Sequence, residues 1–236
     1  VVDIYPGAFD PPSDLHPLGQ TRFGWDILAR LVWGARTSLT AGLLSILLSV
    51  SVGVIIGVST AYFGGLFDNI VMRILELIMA IPNMLLLLLF VSIFGRSLDQ
   101  IMLALGILNI PGMARFVRGT VLGVKQQLFI RAAKASGAKD FKIMYRHILP
   151  NIFSPLIISI SASMGNLVLL LASLSFLGFG DPDKVDWGSD IFSSKGKLFQ
   201  APWAIFWPSL MTAITVLGFM LIGDGLRDAF DPKQKI

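Results

Sequence analysis

Residues 38–63 read SLTAGLLSILLSVSVGVIIGVSTAYF, without one charged side chain. A helix needs about 20 apolar residues to cross roughly 30 Å of hydrocarbon, so this run predicts a membrane span. Ser45, Ser49, Gly53, Gly57 and Ala61 recur every four residues within it. That spacing sets five small side chains on one ridge, where a second helix can approach closely. The ridge predicts a partner helix, not a pore.

Outward from this run the same pattern repeats. Apolar stretches at residues 74–94, 98–117, 150–179 and 202–222 predict four more spans. Gly64-Gly65, Gly95-Arg96 and Gly180-Asp181-Pro182 separate them. Pro82 and Pro111 each lack a backbone donor, which predicts a local kink or break. Upstream, Ile27, Leu28, Leu31 and Val32 recur at helical spacing with Arg30 and Arg36 among them, predicting an interfacial helix over residues 23–37. Residues 1–20 hold Pro6, Pro11, Pro12 and Pro17, the signature of an extended connector. The whole chain is 54% hydrophobic and 14% charged, with a mean hydropathy of +0.74, against about a quarter charged in soluble domains. The expectation is an all-α polytopic membrane protein. Its parts are a connector and interfacial helix at 1–37, a membrane domain at 38–225 and a tail at 226–236. No short apolar core behind a basic start precedes them, so no signal peptide is expected.

Several chemistries are excluded. The chain has no cysteine and two histidines, His16 and His147, so neither thiolate chemistry nor a histidine metal cluster is available. No GxxxxGK[ST] loop occurs, the Ser193–Lys197 stretch included, and neither GxSxG nor HExxH is present. Glu76 and Asp99 lie near span ends, whereas a proton- or ion-coupled transporter places ionisable groups at mid-membrane. Energy is therefore expected from outside the chain, with no cofactor and no metal of its own. A self-sufficient transporter or channel and a structural membrane subunit stay as the rival classes. Asn109, Ser163 and Asn166 are the polar residues at membrane depth that could line a path. For most span serines, hydrogen bonding between helices is the simpler reading.

Charge fixes an orientation. With five spans, placing residues 125–149 in the cytoplasm puts twelve of the 19 lysines and arginines inside and seven outside. Cytoplasmic loops carry the Lys/Arg excess, so this orientation is favoured. The net charge of +4 is then an orientation signal in a lipid bilayer, and no nucleic-acid partner is expected.

Between the third and fourth spans lies LFIRAAKASGAKDFKIMYRHILPN, residues 128–151, with Asp140 as its one acid. Ala132, Ala133 and Ala135 predict a slim helix. Gly137 is placed to end it in the left-handed region. Asp140 is placed to cap a second short helix over residues 141–147, and Pro150 suits the first turn of the next span. A partner cleft and an anionic lipid surface are equally served by this pattern.

The residues also carry a resemblance. Arg131-Ala132-Ala133, Ser136-Gly137-Ala138, Asp140 and the Ile148-Leu149-Pro150 run resemble the EAA loop of ATP-binding-cassette importer permeases. Arg131 stands where that motif has Glu. His16-Pro17-Leu18-Gly19, Gly34-Ala35-Arg36-Thr37-Ser38-Leu39, Tyr62-Phe63-Gly64-Gly65, Ser175-Phe176-Leu177-Gly178 and Gly223-Asp224-Gly225-Leu226-Arg227-Asp228, with Asp231-Pro232 beyond, are similar to the dipeptide/oligopeptide branch. Trp25 replaces an Arg common there. The resemblance implies a type I importer transmembrane domain with the branch's first span missing, in the inner membrane. It implies an ATP-driven importer of dipeptides or oligopeptides, with nickel or oligosaccharide as the alternative substrate, built with a second, homologous permease, two ATPase subunits that bind ATP and Mg, and an extracytoplasmic solute-binding protein. It implies a docking loop at 125–149 that uses Arg131, Ala132, Ala133, Ser136, Gly137, Ala138, Asp140, Leu149 and Pro150. The chain itself is expected to catalyse no reaction.

Overall fold

The computed structural model describes residues 5–230. Among them the chain is helical and forms no strand; an isolated antiparallel bridge joins Gln20 and Asp26. Helix α1 is Ile27–Phe63, 37 residues in one piece, or about 55 Å at 1.5 Å per residue. The expected interfacial helix and first span are thus a single rod. Its two arginines do not end it because each has a partner. The Arg30 guanidinium meets Asp190 at 2.6 Å and lies 4.5 Å over the Trp25 ring, and Arg36 lies over Trp33. The Asp26 carboxylate accepts from the Ala29 N–H at 2.8 Å and caps the start. Ahead of it, residues 5–26 form a tight looped layer rather than a free extended strand. Phe9 N–H donates to Thr21 and Gln20 N–H to Asp10.

Helices α2, Gly65–Met79, and α3, Asn83–Phe94, meet at 80°. Pro82, with no N–H to give, sits at that corner as the sequence predicts. Helix α4, Leu98–Lys125, continues through Pro111 without interruption. Pro111 is buried, and membrane helices tolerate a lost donor where neighbours pack around it. The expected break is absent. Helix α5 is Leu128–Ala135 and α6 is Asp140–Ile143. A π-helical turn, Met144–Ile148, then joins α6 to α7, Leu149–Phe176, so Asp140–Phe176 is one rod of 37 residues. One expectation changes here: Lys139, not Asp140, is the N-cap. Pro150 falls in the first turn of α7 as expected, although the rod runs on through it. The wider π turn, in which Leu149 N–H reaches back to Met144, accommodates it, and the Asn151 side chain donates to the His147 carbonyl at 2.7 Å. Helix α8, Trp187–Ser194, followed by a 3-10 turn at Lys195–Lys197, was not foreseen. Helix α9, Trp203–Phe230, carries the fifth span into the expected tail, whose residues 231–236 lie outside the described ones.

The ridge on α1 finds its partner inside the chain. Ser45, Ser49, Gly53, Gly57 and Ala61 are all buried, and α4 lies along them. A Cβ on Gly57 would sit 2.6 Å from the Ala114 carbonyl oxygen, and one on Gly53 would sit 2.8 Å from Met113 Cγ. Ser45 Oγ donates to the Met102 carbonyl at 2.9 Å. Helix α7 also packs on α1, with Met164 over Gly42, and on α9, with Gly165 beside Val216. The outward-facing side chains of the spans are large and apolar, Leu43, Leu47, Leu89 and Leu221 among them, which is the surface a hydrocarbon solvent requires.

The molecule has two unlike ends. At the end that holds the start of α4, Asp181 is buried and accepts from Leu98 N–H at 2.8 Å, closing the loop after α7 onto α4. Trp187 of α8 is 1% exposed, and its Nε1 donates to the Leu31 carbonyl at 3.0 Å. The other end gathers the basic segment.

Candidate functional site

At this basic end, α5 and α6 form a short bracket standing off the bundle. Ile130, Ile143 and Ile148 turn inward, at 3%, 0% and 0% exposure, and join the main core. Their spacing leaves the opposite faces bare. Arg131, Ala132, Lys134, Ser136, Gly137 and Asp140 are exposed; Ala133, Ala138 and Leu149 are half-buried. Between the two helices, Gly137 adopts φ +77°. Ala138 N–H donates to the Ala133 carbonyl and Gly137 N–H to Lys134, both at 3.1 Å. This is a Schellman closure, which needs a left-handed residue at the glycine position. The sequence-derived docking residues are thus exposed or half-buried at this end, Pro150 among the exposed ones.

Large apolar groups share that surface. Phe141 is 74% exposed and stacks on Tyr145 with ring centroids 6.2 Å apart. Leu128 is 79% exposed. Tyr145, Arg146, Leu149, Pro150 and Phe153 line an open hollow of about 460 Å³ beside them. Aromatic and arginine side chains are the groups enriched at protein interfaces. A purely solvated basic face would not bare four apolar rings and chains together.

The bracket is fastened to the bundle by polar contacts that sequence reasoning missed. Tyr62, near the end of α1, donates from its hydroxyl to Asp140 Oδ1 at 2.5 Å. Lys125 Nζ donates to the Ala61 and Tyr62 carbonyls at 3.0 and 2.7 Å. These carbonyls carry the partial negative charge of the C-terminus of α1, where a cation is favoured. Lys125 and Lys134 lie 5.7 and 5.5 Å from the Tyr62 ring centroid. Asp68 of α2 pairs with Arg118 of α4 through two 2.6 Å bonds. A polar residue at the last turn of a long apolar span, followed by Gly-Gly, was the only sequence signal for Tyr62.

The three residues suggested for a path separate. Asn109 Nδ2 reaches Ser49 Oγ at 3.3 Å inside the α1–α4 seam. Ser163 and Asn166 share one face of α7, Asn166 exposed and Ser163 half-buried. The structure does not bring Asn109 to them. Among the described residues no group of acidic and histidine side chains is arranged to hold a metal.

A bundle of apolar helices long enough to cross a bilayer, with a basic bracket at one end, defines a polytopic membrane protein. Residues 53–236 match the family described as binding-protein-dependent transport system inner membrane component, and the chain belongs to that family. It is 40% identical over 225 residues to a glutathione transport system permease protein, GsiD, of Pectobacterium atrosepticum, covering 95% of this chain and 75% of that one. It is 39% identical to the dipeptide transport system permease protein DppC of Alkalihalophilus pseudofirmus, covering 95% and 74%. Among solved structures, an inward-facing form of the MetNI methionine ABC transporter aligns with a TM-score of 0.74 at 20% identity, over 86% of this chain and 97% of that one. The fold is that of a type I ABC importer transmembrane domain, and the protein is an inner-membrane permease subunit of the peptide/glutathione type.

Proposed function

We propose that this permease carries small peptides and is driven by ATPase subunits docked on the bracket at residues 125–149. The observation that carries the reading is the bracket itself. It is a short alanine-rich helix ended by Gly137, inserted by three isoleucines and otherwise bare, with Phe141, Tyr145 and Leu128 exposed beside it. A second, homologous permease completes the path, and an extracytoplasmic binding protein delivers the substrate. Two ATPase subunits hold ATP and Mg; the permease catalyses no covalent step. The excess of bases at the bracket end supports placing it in the cytoplasm.

In this reading ATP closes the ATPases, the bracket is displaced, and the helices swing as rigid bodies between inward- and outward-open forms. Arg131 occupies the position of the motif acid and offers the ATPase a donor fork instead of a carboxylate. Ser163 and Asn166 on the open face of α7 line the path toward the second permease, while Asn109 serves as a packing contact. Glutathione and dipeptides, named for the relatives, are both short peptides, and that chemical class is the one proposed.

The test is substrate-stimulated ATP hydrolysis in the reconstituted complex. Gly137→Pro removes the N–H that closes the turn, and Ala133→Asp puts a charge into the half-buried side of α5. Each abolishes stimulation while the chain still inserts into the membrane. Unchanged stimulation in both variants removes the docking role. The ligand that copurifies with the binding protein reports the substrate, and a non-peptide there removes the peptide reading.

A further inference from the structure

We propose that Tyr62 is a positioning residue, the joint that makes the α1–α4 pair and the α6–α7 rod move together when the bracket is displaced. The inference rests on the ATPase-coupling reading above. The bracket is continuous with α7 through the π turn, so α7 receives any displacement through its own backbone. It joins α4 only through Gln126 and Gln127, and it has no covalent link to α1. Side chains supply that link. The Tyr62 hydroxyl holds Asp140, the first residue of the α6–α7 rod, while Lys125 at the end of α4 holds the last carbonyls of α1. Tyr62 is 5% exposed and its ring lies beside both Lys125 and Lys134. One side chain therefore touches all three moving parts.

The backbone just beyond Tyr62 supports a joint and not a general packing role. Gly64 and Gly65 both have positive φ, +68° and +61°, with no atom near where their Cβ would lie. The backbone can turn there between α1 and α2, so displacement of the end of α1 is set by its side-chain ties and its packing on α4 and α7. A phenol bonded to a carboxylate is a charge-assisted hydrogen bond, stronger than a neutral one.

The experiment uses the full complex with its partner permease, ATPases and binding protein in lipid nanodiscs. The chain has no cysteine, so cysteines at exposed Leu47 of α1 and Phe153 of α7 take spin labels selectively. In the wild-type background the distance between the two labels stays fixed when ATP is added, because both helices move as one. In Tyr62→Phe, ATP hydrolysis continues, the distance acquires a second, ATP-dependent population, and substrate moved per ATP falls about tenfold. Lys125→Arg, which still caps the α1 carbonyls, behaves as wild type, and Lys125→Met behaves as Tyr62→Phe. A fixed distance and normal transport per ATP in Tyr62→Phe overturn the joint. If ATP leaves the distance from Phe153 to the partner permease unchanged in the wild type while transport proceeds, the coupling reading itself fails instead.

Discussion

Gly57→Ala tests whether the α1 ridge determines the fold. The new Cβ would lie 2.6 Å from the Ala114 carbonyl oxygen and 2.8 and 2.9 Å from two Val117 carbons. Ordinary contact needs about 3.5 Å, so the helices must part by most of an ångström. Ala114 and Val117 are 0% and 1% exposed, and the tightest contact is with backbone, which cannot rotate away. Overpacking of this kind costs about 1–3 kcal/mol. Removing a mid-helix glycine returns about 1 kcal/mol. We take the upper part of the overpacking range and expect a net loss of about 1–2 kcal/mol. Gly119→Ala, on α4 with nothing within 4 Å of its Cβ, receives only the helix contribution and gains up to about 1 kcal/mol. Unfolding in mixed micelles of the two variants beside the wild type reads the contrast. Shifts of the same sign and size would refute the reasoning, because they would mean that the ridge does not set the α1–α4 separation.

Asp181→Ala removes the acceptor for Leu98 N–H and unties the α7 loop from α4, lowering unfolding free energy by about 1–2 kcal/mol; Asp183→Ala, whose backbone alone bonds Asp181, should show little change in the same titration. Arg30→Met leaves Asp190, 3% exposed, without its cation and costs about 3–5 kcal/mol in thermal unfolding; a loss under about 1 kcal/mol would show the pair to be dispensable. Burial pushes the Asp190 carboxyl up to about 6, against the pull of Arg30. A raised folded value means its contribution is fully present below about pH 4 and is lost as pH rises through 6, so the stability of wild type relative to Asp190→Asn should fall by at most about 3 kcal/mol over that window. A difference that rises or stays flat with pH contradicts that assignment.

Much of the architecture is legible in single residues. The uncharged run at 38–63, the four-residue ridge and the Pro82 corner each express a constraint that acts locally: hydrocarbon excludes charge, close approach excludes Cβ, and proline lacks a donor. Gly137 belongs with them, since its φ of +77° is dictated by the turn it closes. Features that depend on tertiary partners are not legible. Arg30 and Arg36 look like the end of an interfacial helix until Asp190, 160 positions away, and the Trp33 ring are seen beside them. Pro111 looks like a break until its burial against neighbouring helices is known. Asp140 has the spacing of a cap, yet its oxygen is taken by Tyr62 from another helix, and Lys139 occupies the cap position with its backbone alone. Helix α8 is eight residues long, and half of them are Ser or Asp; its place in the fold comes from the buried Trp187, which no local pattern announces.

The ties at the two ends divide the molecule into a frame and a periphery. Arg30–Asp190, Trp187 on Leu31 and Asp181 on Leu98 join α1, α4, α7 and α8 at one end. Tyr62–Asp140, Lys125 on α1 and Arg118–Asp68 join α1, α4, α6 and α2 at the other. Helix α3 turns away from α2 by 80° at Pro82, and α9 buries few of its apolar side chains. A load applied to the bracket therefore meets a frame about 40 Å long, the span of the 28 residues of α4. A frame fastened at one end alone could absorb that load by splaying α7 from α1. Fastened at both, it resists splaying, so a displacement at the bracket is shared by the whole frame. The periphery then has to yield, and the yielding elements are α3 beyond its proline corner and α9, with few of its side chains buried in the core.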